Sequence, residues 1–155
     1  MNLRTRLSRS SGYRELGMFE ESISELDEID SEEQADTLVL EARYKTYRDA
    51  KAWELAMPMA ELMHERKPTS FVWFKNLVDA KTENGDPTGA LQLLKDAVIK
   101  FSERTEFVYA LARQHALLGE IEDAKLFVKR AIKRDASVKE QFLDDPAFDA
   151  VWESF

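Results

Sequence analysis

The sequence predicts an all-α fold built from repeated helix pairs, and three observations carry that prediction. Residues 117–131, LLGEIEDAKLFVKRA, match residues 83–97, ENGDPTGALQLLKDA, at an offset of 34: Gly119 answers Gly85, Ala124 answers Ala90, Val128 answers Leu94 and Ala131 answers Ala97. Leu, Ala, Glu, Lys and Arg, all strong helix formers, dominate the chain. Five Gly and four Pro in 155 residues are too few for the many turns of an all-β fold.

Extended through the chain, the 34-residue register tiles residues 3–36, 37–70, 71–104 and 105–138, and leaves 139–155. The fifteenth places are Gly17, Lys51, Gly85 and Gly119; the twentieth are Ser22, Ala56, Ala90 and Ala124, small in every unit. A Gly there ends a first helix because it enters the left-handed conformation at little cost. A small residue five places later lets the second helix of the pair approach closely.

Each element can be argued in order. Unit one places Arg6, Arg9 and Ser10 where a first helix should be apolar, and only Tyr13 and Leu16 suit a core; its second half, GMFEESISELDEI, fits well. Four arginines before the first acid read as a loosely ordered or partly helical opening segment. Unit two carries Lys51 at the turn and Pro58 within its second helix, so that helix is expected to start near Trp53 or later, or to kink. In unit three, Thr69 or Ser70 caps a helix over about 71–84, and Asp86-Pro87 starts the next. In unit four, Val108, Leu111, Ala112 and His115 mark one helical face, and Ile121, Ala124, Val128, Ala131 and Ile132 mark another. In the tail, Ser137 with Glu140 reads as a capping box and Asp145-Pro146 as a helix start, with Phe142, Phe148, Val151 and Trp152 directed inward.

This pattern resembles the tetratricopeptide repeat, whose signature W-x2-L-G-x2-Y, A-x3-F, P lies on a helix–turn–helix unit. The Asp145-Pro146-x-Phe148 tail is similar to those that close small bacterial members. The resemblance implies one domain over 1–155: a right-handed α-solenoid of about four repeats (3–36, 37–70, 71–104, 105–138) with a C-terminal capping helix in 139–155.

Composition excludes several function classes. With no Cys there are no disulfides, thiol nucleophiles or Cys-based zinc sites. Net charge is −8, against the basic face that nucleic-acid binding needs. No apolar run reaches membrane-span length and no signal-peptide core follows the first charges, so the expectation is a cytoplasmic protein with no membrane partner. The chain lacks HExxH, a phosphate-cradling Gly loop and GxSxG. The acidic stretch ELDEIDSEEQAD (25–36) has no Gly for a calcium loop and reads as a solvated helix end. His115 reads as a packed helix residue and His64 as a solvated cation near a helix end. No catalytic, cofactor or metal site is therefore expected, and the chain is not expected to be an enzyme.

What the resemblance implies is partner binding along a concave groove lined by fixed places of each first helix. Carried over, these places give Glu41, Lys45, Arg48, Lys75, Asp79, Tyr109 and Arg113 as the partner-binding set. Over units one to four the lining as a whole holds six bases and six acids, a neutral surface on an acidic protein. Chaperone-binding members clamp a carboxylate with Lys, Asn and Arg; here the matching places are Leu7, Ser11, Ala42, Val72 and Asn76, so no such binding is expected. The expected function is a non-catalytic protein-interaction scaffold for a peptide or protein segment. The alternative is a self-associating homodimeric module or a regulatory piece of a larger assembly.

Overall fold

The computed structural model describes all 155 residues, Met1–Phe155, and they form helices and turns without a strand. In chain order the helices are α1 (Leu3–Glu15), α2 (Phe19–Asp27), α3 (Thr37–Asp49), α4 (Trp53–Arg66), α5 (Phe71–Glu83), α6 (Pro87–Asp96), α7 (Val98–Phe101), α8 (Thr105–Leu117), α9 (Ile121–Arg134), α10 (Lys139–Asp144) and α11 (Asp149–Glu153). Single 3-10 turns occupy Ser31–Glu33, Ala136–Val138 and Pro146–Phe148. The chain divides into two compact units, Met1–Asn84 and Gly85–Phe155. No helix is long and apolar enough to cross a membrane.

In the first unit α1 packs on α2, α3 on α4, and α4 on α5. The turns explain the register. Gly17 has φ +75° and Lys51 has φ +57°, both in the left-handed region. Around Lys51, its own N–H donates to the Arg48 carbonyl (2.9 Å) and the Ala52 N–H to that of Tyr47 (2.8 Å). Gly17 and Met18 repeat the pattern on Arg14 and Tyr13 (3.0 and 2.9 Å). These paired bonds satisfy the last carbonyls of a helix and require a residue of positive φ between them. The small places beyond the turns are fully buried: Ser22 and Ala56 are both 0% exposed.

Two expectations for this unit are corrected. The arginine-rich opening is a full 13-residue helix, α1, capped by the Asn2 side chain on the Thr5 N–H (2.9 Å). Leu16, read as a core residue, is 75% exposed at its end. As expected, α4 starts at Trp53, and it runs on through Pro58 to Arg66. Pro58 and Glu54 are both exposed, so the carbonyl that loses its donor faces water instead of a dry core.

In the second unit α6, α8 and α9 form successive layers, and α11 returns onto α9. The Asp86 carboxylate accepts from the Gly89 N–H (2.9 Å) with Pro87 in the first turn of α6, as the sequence predicts. Gly85 and Gly119 take φ +90° and +74°. The core gathers Val108, Ala112, Ala124, Val128 and Ala131 with Val138, Phe142, Phe148 and Val151 of the tail. The tail's first turn is not capped by a Ser137–Glu140 box. Asp135 does it, accepting from the Ser137 N–H (3.0 Å) and hydroxyl (2.7 Å), which hold its carboxyl below the usual range.

One departure carries no sequence signal. The second helices α4 and α9 each run 14 residues, but α6 stops after 10 and α7 follows as a separate turn. The break falls at Ala97, with φ −98° and ψ 5°.

Candidate functional site

In the first unit one face of α3 is assembled from residues three and four apart. Leu38, Glu41, Ala42 and Lys45 line a cleft of about 200 Å³, closed on the other side by Leu7, Ser10, Ser11 and Arg14 of α1. Arg14 spans the two helices to reach the Asp49 carboxylate at 2.7 Å, and Arg48 Nε meets the same carboxylate at 2.9 Å. Burial acts to raise the Asp49 carboxyl, but the bonds from Arg14 and Arg48 outweigh it and hold it low. Lys45 pairs with Glu41 (2.9 Å) and, on α5, Lys75 pairs with Asp79 (2.8 Å), each along its own helix.

Tyr44 lies beneath this face at 1% exposure, with its ring edge-on to Trp73 at 5.3 Å. Burial first, and then the nearby Asp79 carboxylate, push its phenol up to about 12. The surface above is not wholly polar. Leu38 of α3 is 55% and Val72 of α5 65% exposed, each on the helix that carries Lys45 and Arg48 or Lys75.

Below α1 the polar residues that look misplaced in the sequence find partners. Ser10, Ser22 and Thr46 form a buried hydroxyl chain with both links at 2.9 Å, and Thr46 donates onward to the Ala42 carbonyl. Glu25, 8% exposed, receives Arg6 at 2.7 Å and Arg9 at 2.8 Å. Arg6 and Arg9 therefore hold α2 from α1 and are not groove residues.

Tyr109 and Arg113, the two sites expected in the second unit, converge on the tail. The Tyr109 hydroxyl donates to Asp145 Oδ2 at 2.8 Å, and Arg113 Nε donates to the same oxygen at 3.0 Å. Oδ1 of Asp145 accepts from the Ala147 N–H (3.0 Å). Burial acts to raise the Asp145 carboxyl, and these three donors together hold it low. The Tyr109 ring stacks on Phe142 (4.5 Å) and meets Phe148 edge-on (5.6 Å), and its phenol is raised, first by burial and then by donation to Asp145. Asp145 was legible only as a helix start; its role as acceptor for α8 depends on a partner 32 positions away.

The histidines differ from each other. His115 is 5% exposed, stacked flat on Phe127 at 5.4 Å, with Nδ1 3.3 Å from Glu120. His115, Glu120 and Asp123 bring one ligand-type atom each within 4.8 Å of one another, at the start of α9 where the helix dipole already favours acids. His64 is half-buried with its ring 5.6 Å from Phe74, and so is less solvated than its neighbours Glu65, Arg66 and Lys67 suggest.

The comparisons with known proteins bear on the fold. Residues 81–142, from the end of α5 through α10, match the tetratricopeptide repeat family. Over that stretch the chain is similar to tetratricopeptide repeats. Two solved structures extend the likeness beyond the matched repeats. One is of the nearly identical TPR-like repeats of a Podosopora anserina protein classed as a kinesin light chain, with TM-score 0.62 and 16% identity. The other is a single-substitution form of that protein, with TM-score 0.64 and 15% identity. Each alignment covers 94% of this chain and 79% of the other. At that identity the likeness speaks for the fold alone, a helical-repeat solenoid. No curated protein matches the sequence.

Proposed function

We propose that these tetratricopeptide repeats form a non-catalytic scaffold that binds a protein segment on the face of their first helices. Tetratricopeptide folds serve protein–protein interaction in general, and the finer reading rests on one observation. In the first unit, exposed Leu38 shares α3 with Lys45 and Arg48, exposed Val72 shares α5 with Lys75, and the acids paired with these cations are partly exposed and one turn or one residue away. Exposed pairs of this kind are worth about 1 kcal/mol or less. They exchange readily for a partner's carboxylates, while the two apolar side chains supply the burial that fixes it. The segment this favours is acidic with interspersed apolar side chains. Glu41 and Asp79 orient the two lysines and set charge selectivity. In the second unit the proposed set is Tyr109 and Arg113, with the difference that both also hold Asp145.

The test uses the first unit, where side chains can be changed without loosening the tail. A partner captured from source extract is titrated calorimetrically against the whole chain and against Lys45→Ala, Lys75→Ala and Val72→Ala. Each change is expected to cost about 1 kcal/mol or more if it sits at the centre of the contact. Affinity that survives these changes, and falls when exposed Glu54 or Glu61 of α4 is altered, would move the site to the opposite helices.

A further inference from the structure

The break between α6 and α7 opens a second recess, of about 240 Å³, that shares no residue with the Tyr109–Arg113–Asp145 cluster. Lys95, Val98 and Ser102, on either side of the break, line one wall. Phe107 and Leu111 of α8 and Phe127 of α9 supply apolar lining opposite. Its cations are Lys95, Arg130 and Arg134, and no acid is among the lining residues. In a chain of net charge −8, three cations around an apolar pit with no acid is a local reversal of sign.

We propose that this pit binds a small amphiphile: one aromatic ring or short aliphatic chain carrying a carboxylate head. Its volume exceeds the ~150 Å³ cavity that takes up benzene, which suits a body of that size. The head group follows from the cations. Arg134 spends one N–H on the Ser102 carbonyl (2.6 Å), which fixes the guanidinium beside the pit with donors to spare. Arg130 lies over the Phe127 ring at 5.2 Å, and Lys95 lies in the last turn of α6. Neither arginine nor Lys95 is paired with a carboxylate. A free amphiphile is favoured over a peptide because the walls are helices, whose backbone groups are already bonded, and the Ser102 carbonyl is taken by Arg134.

The test titrates octanoate, octylamine and a tetrapeptide ending in Phe with a free carboxylate against the ¹⁵N-labelled whole chain. Saturable octanoate shifts centred on residues 95–102 and 127–134 are expected, with octylamine at least roughly tenfold weaker. Lys95→Glu with Arg130→Glu, both exposed positions, is expected to weaken octanoate at least roughly tenfold, while Lys139→Glu, exposed and outside both proposed sites, leaves it unchanged. Should the double variant lose its fold, Val98→Glu, which sets a carboxylate at a position 41% exposed, is expected to weaken it likewise. Equal affinity for octylamine, shifts centred elsewhere, unchanged octanoate affinity in these variants, or no saturation at millimolar concentration would each overturn the site. Binding of the peptide without binding of octanoate would overturn the free-amphiphile occupant.

Discussion

Replacing Lys51 by Gly is expected to stabilise the protein. Lys51 is the one non-glycine residue with positive φ, at +57°, while the matching places hold Gly17, Gly85 and Gly119 at +75°, +90° and +74°. A side chain in this region brings Cβ against the following carbonyl, at a cost of about 1–2 kcal/mol. Space plays no part, since a Cβ added at Gly17, Gly85 or Gly119 meets no heavy atom within 4 Å. The Lys51 side chain is exposed, and the turn's bonds to Arg48 and Tyr47 are made by the backbone, so Gly keeps them. Against the relief stands the greater freedom of Gly in the unfolded chain, which leaves a net gain of about 1 kcal/mol. Urea unfolding should show it as a midpoint raised by about 0.5 M at unchanged slope, followed by Trp53 and Trp73, which both lie in the first unit. Lys51→Ala is the control and should be near neutral; Gly119→Ala in the second unit should lose about 1 kcal/mol. If Lys51→Gly proves no more stable than Lys51→Ala, the left-handed turn is not the reason this place favours glycine.

Three further outcomes follow from the packing. Asp145→Asn should cost about 1–2 kcal/mol through its weakened bonds to Tyr109, Arg113 and Ala147; because the folded carboxyl lies below its unfolded value near 3.8, the wild-type contribution is complete above that pH and is lost on acidification through the folded value, so the variant's stability should vary less with pH below about 4. Ser22→Ala, though it restores the alanine of the other repeats, should cost about 1–3 kcal/mol because Ser10 is left buried without its partner, and the Ser10→Ala, Ser22→Ala pair should cost less than the sum of the single changes in thermal melts. Cutting the chain after Val138 removes Phe142, Phe148 and Val151, each 0% exposed, and should lower the melting temperature sharply and cause association visible by light scattering; a monomeric product with unchanged melting would mean the tail is not part of the core.

What was legible in the sequence is what neighbours along the chain decide. The turn glycines, the small residues at Ala56, Ala90 and Ala124, and the Asp86-Pro87 start depend on φ, on side-chain volume and on a cap three residues away. These are local facts, and they place α5 and the turns that precede α6 and α9. What was not legible depends on partners far away. Arg6, Arg9 and Ser10 read as unfit for a helix core because Glu25 and Ser22 come 19, 16 and 12 residues later. The break at Ala97 lies in the run Lys95–Phe101 without a Gly or Pro to announce it.

The same division runs through the proposed sites and bears on how the chain works. Lys45, Arg48 and Lys75, carried over from the repeat, are partly exposed on first helices, and the helical period alone decides that exposure. The period also names Tyr109 and Arg113, yet the tail has placed the Asp145 carboxylate against them. Asp145 thus stands to the last full repeat much as an acidic partner would stand to an open one. Two donors of α8 hold that carboxylate at 2.8 and 3.0 Å. It comes from the chain itself where the array ends. The proposed binding on α3 and α5 follows the same chemistry where no tail covers it, which is why loss of affinity in Lys45→Ala and Lys75→Ala is the decisive outcome.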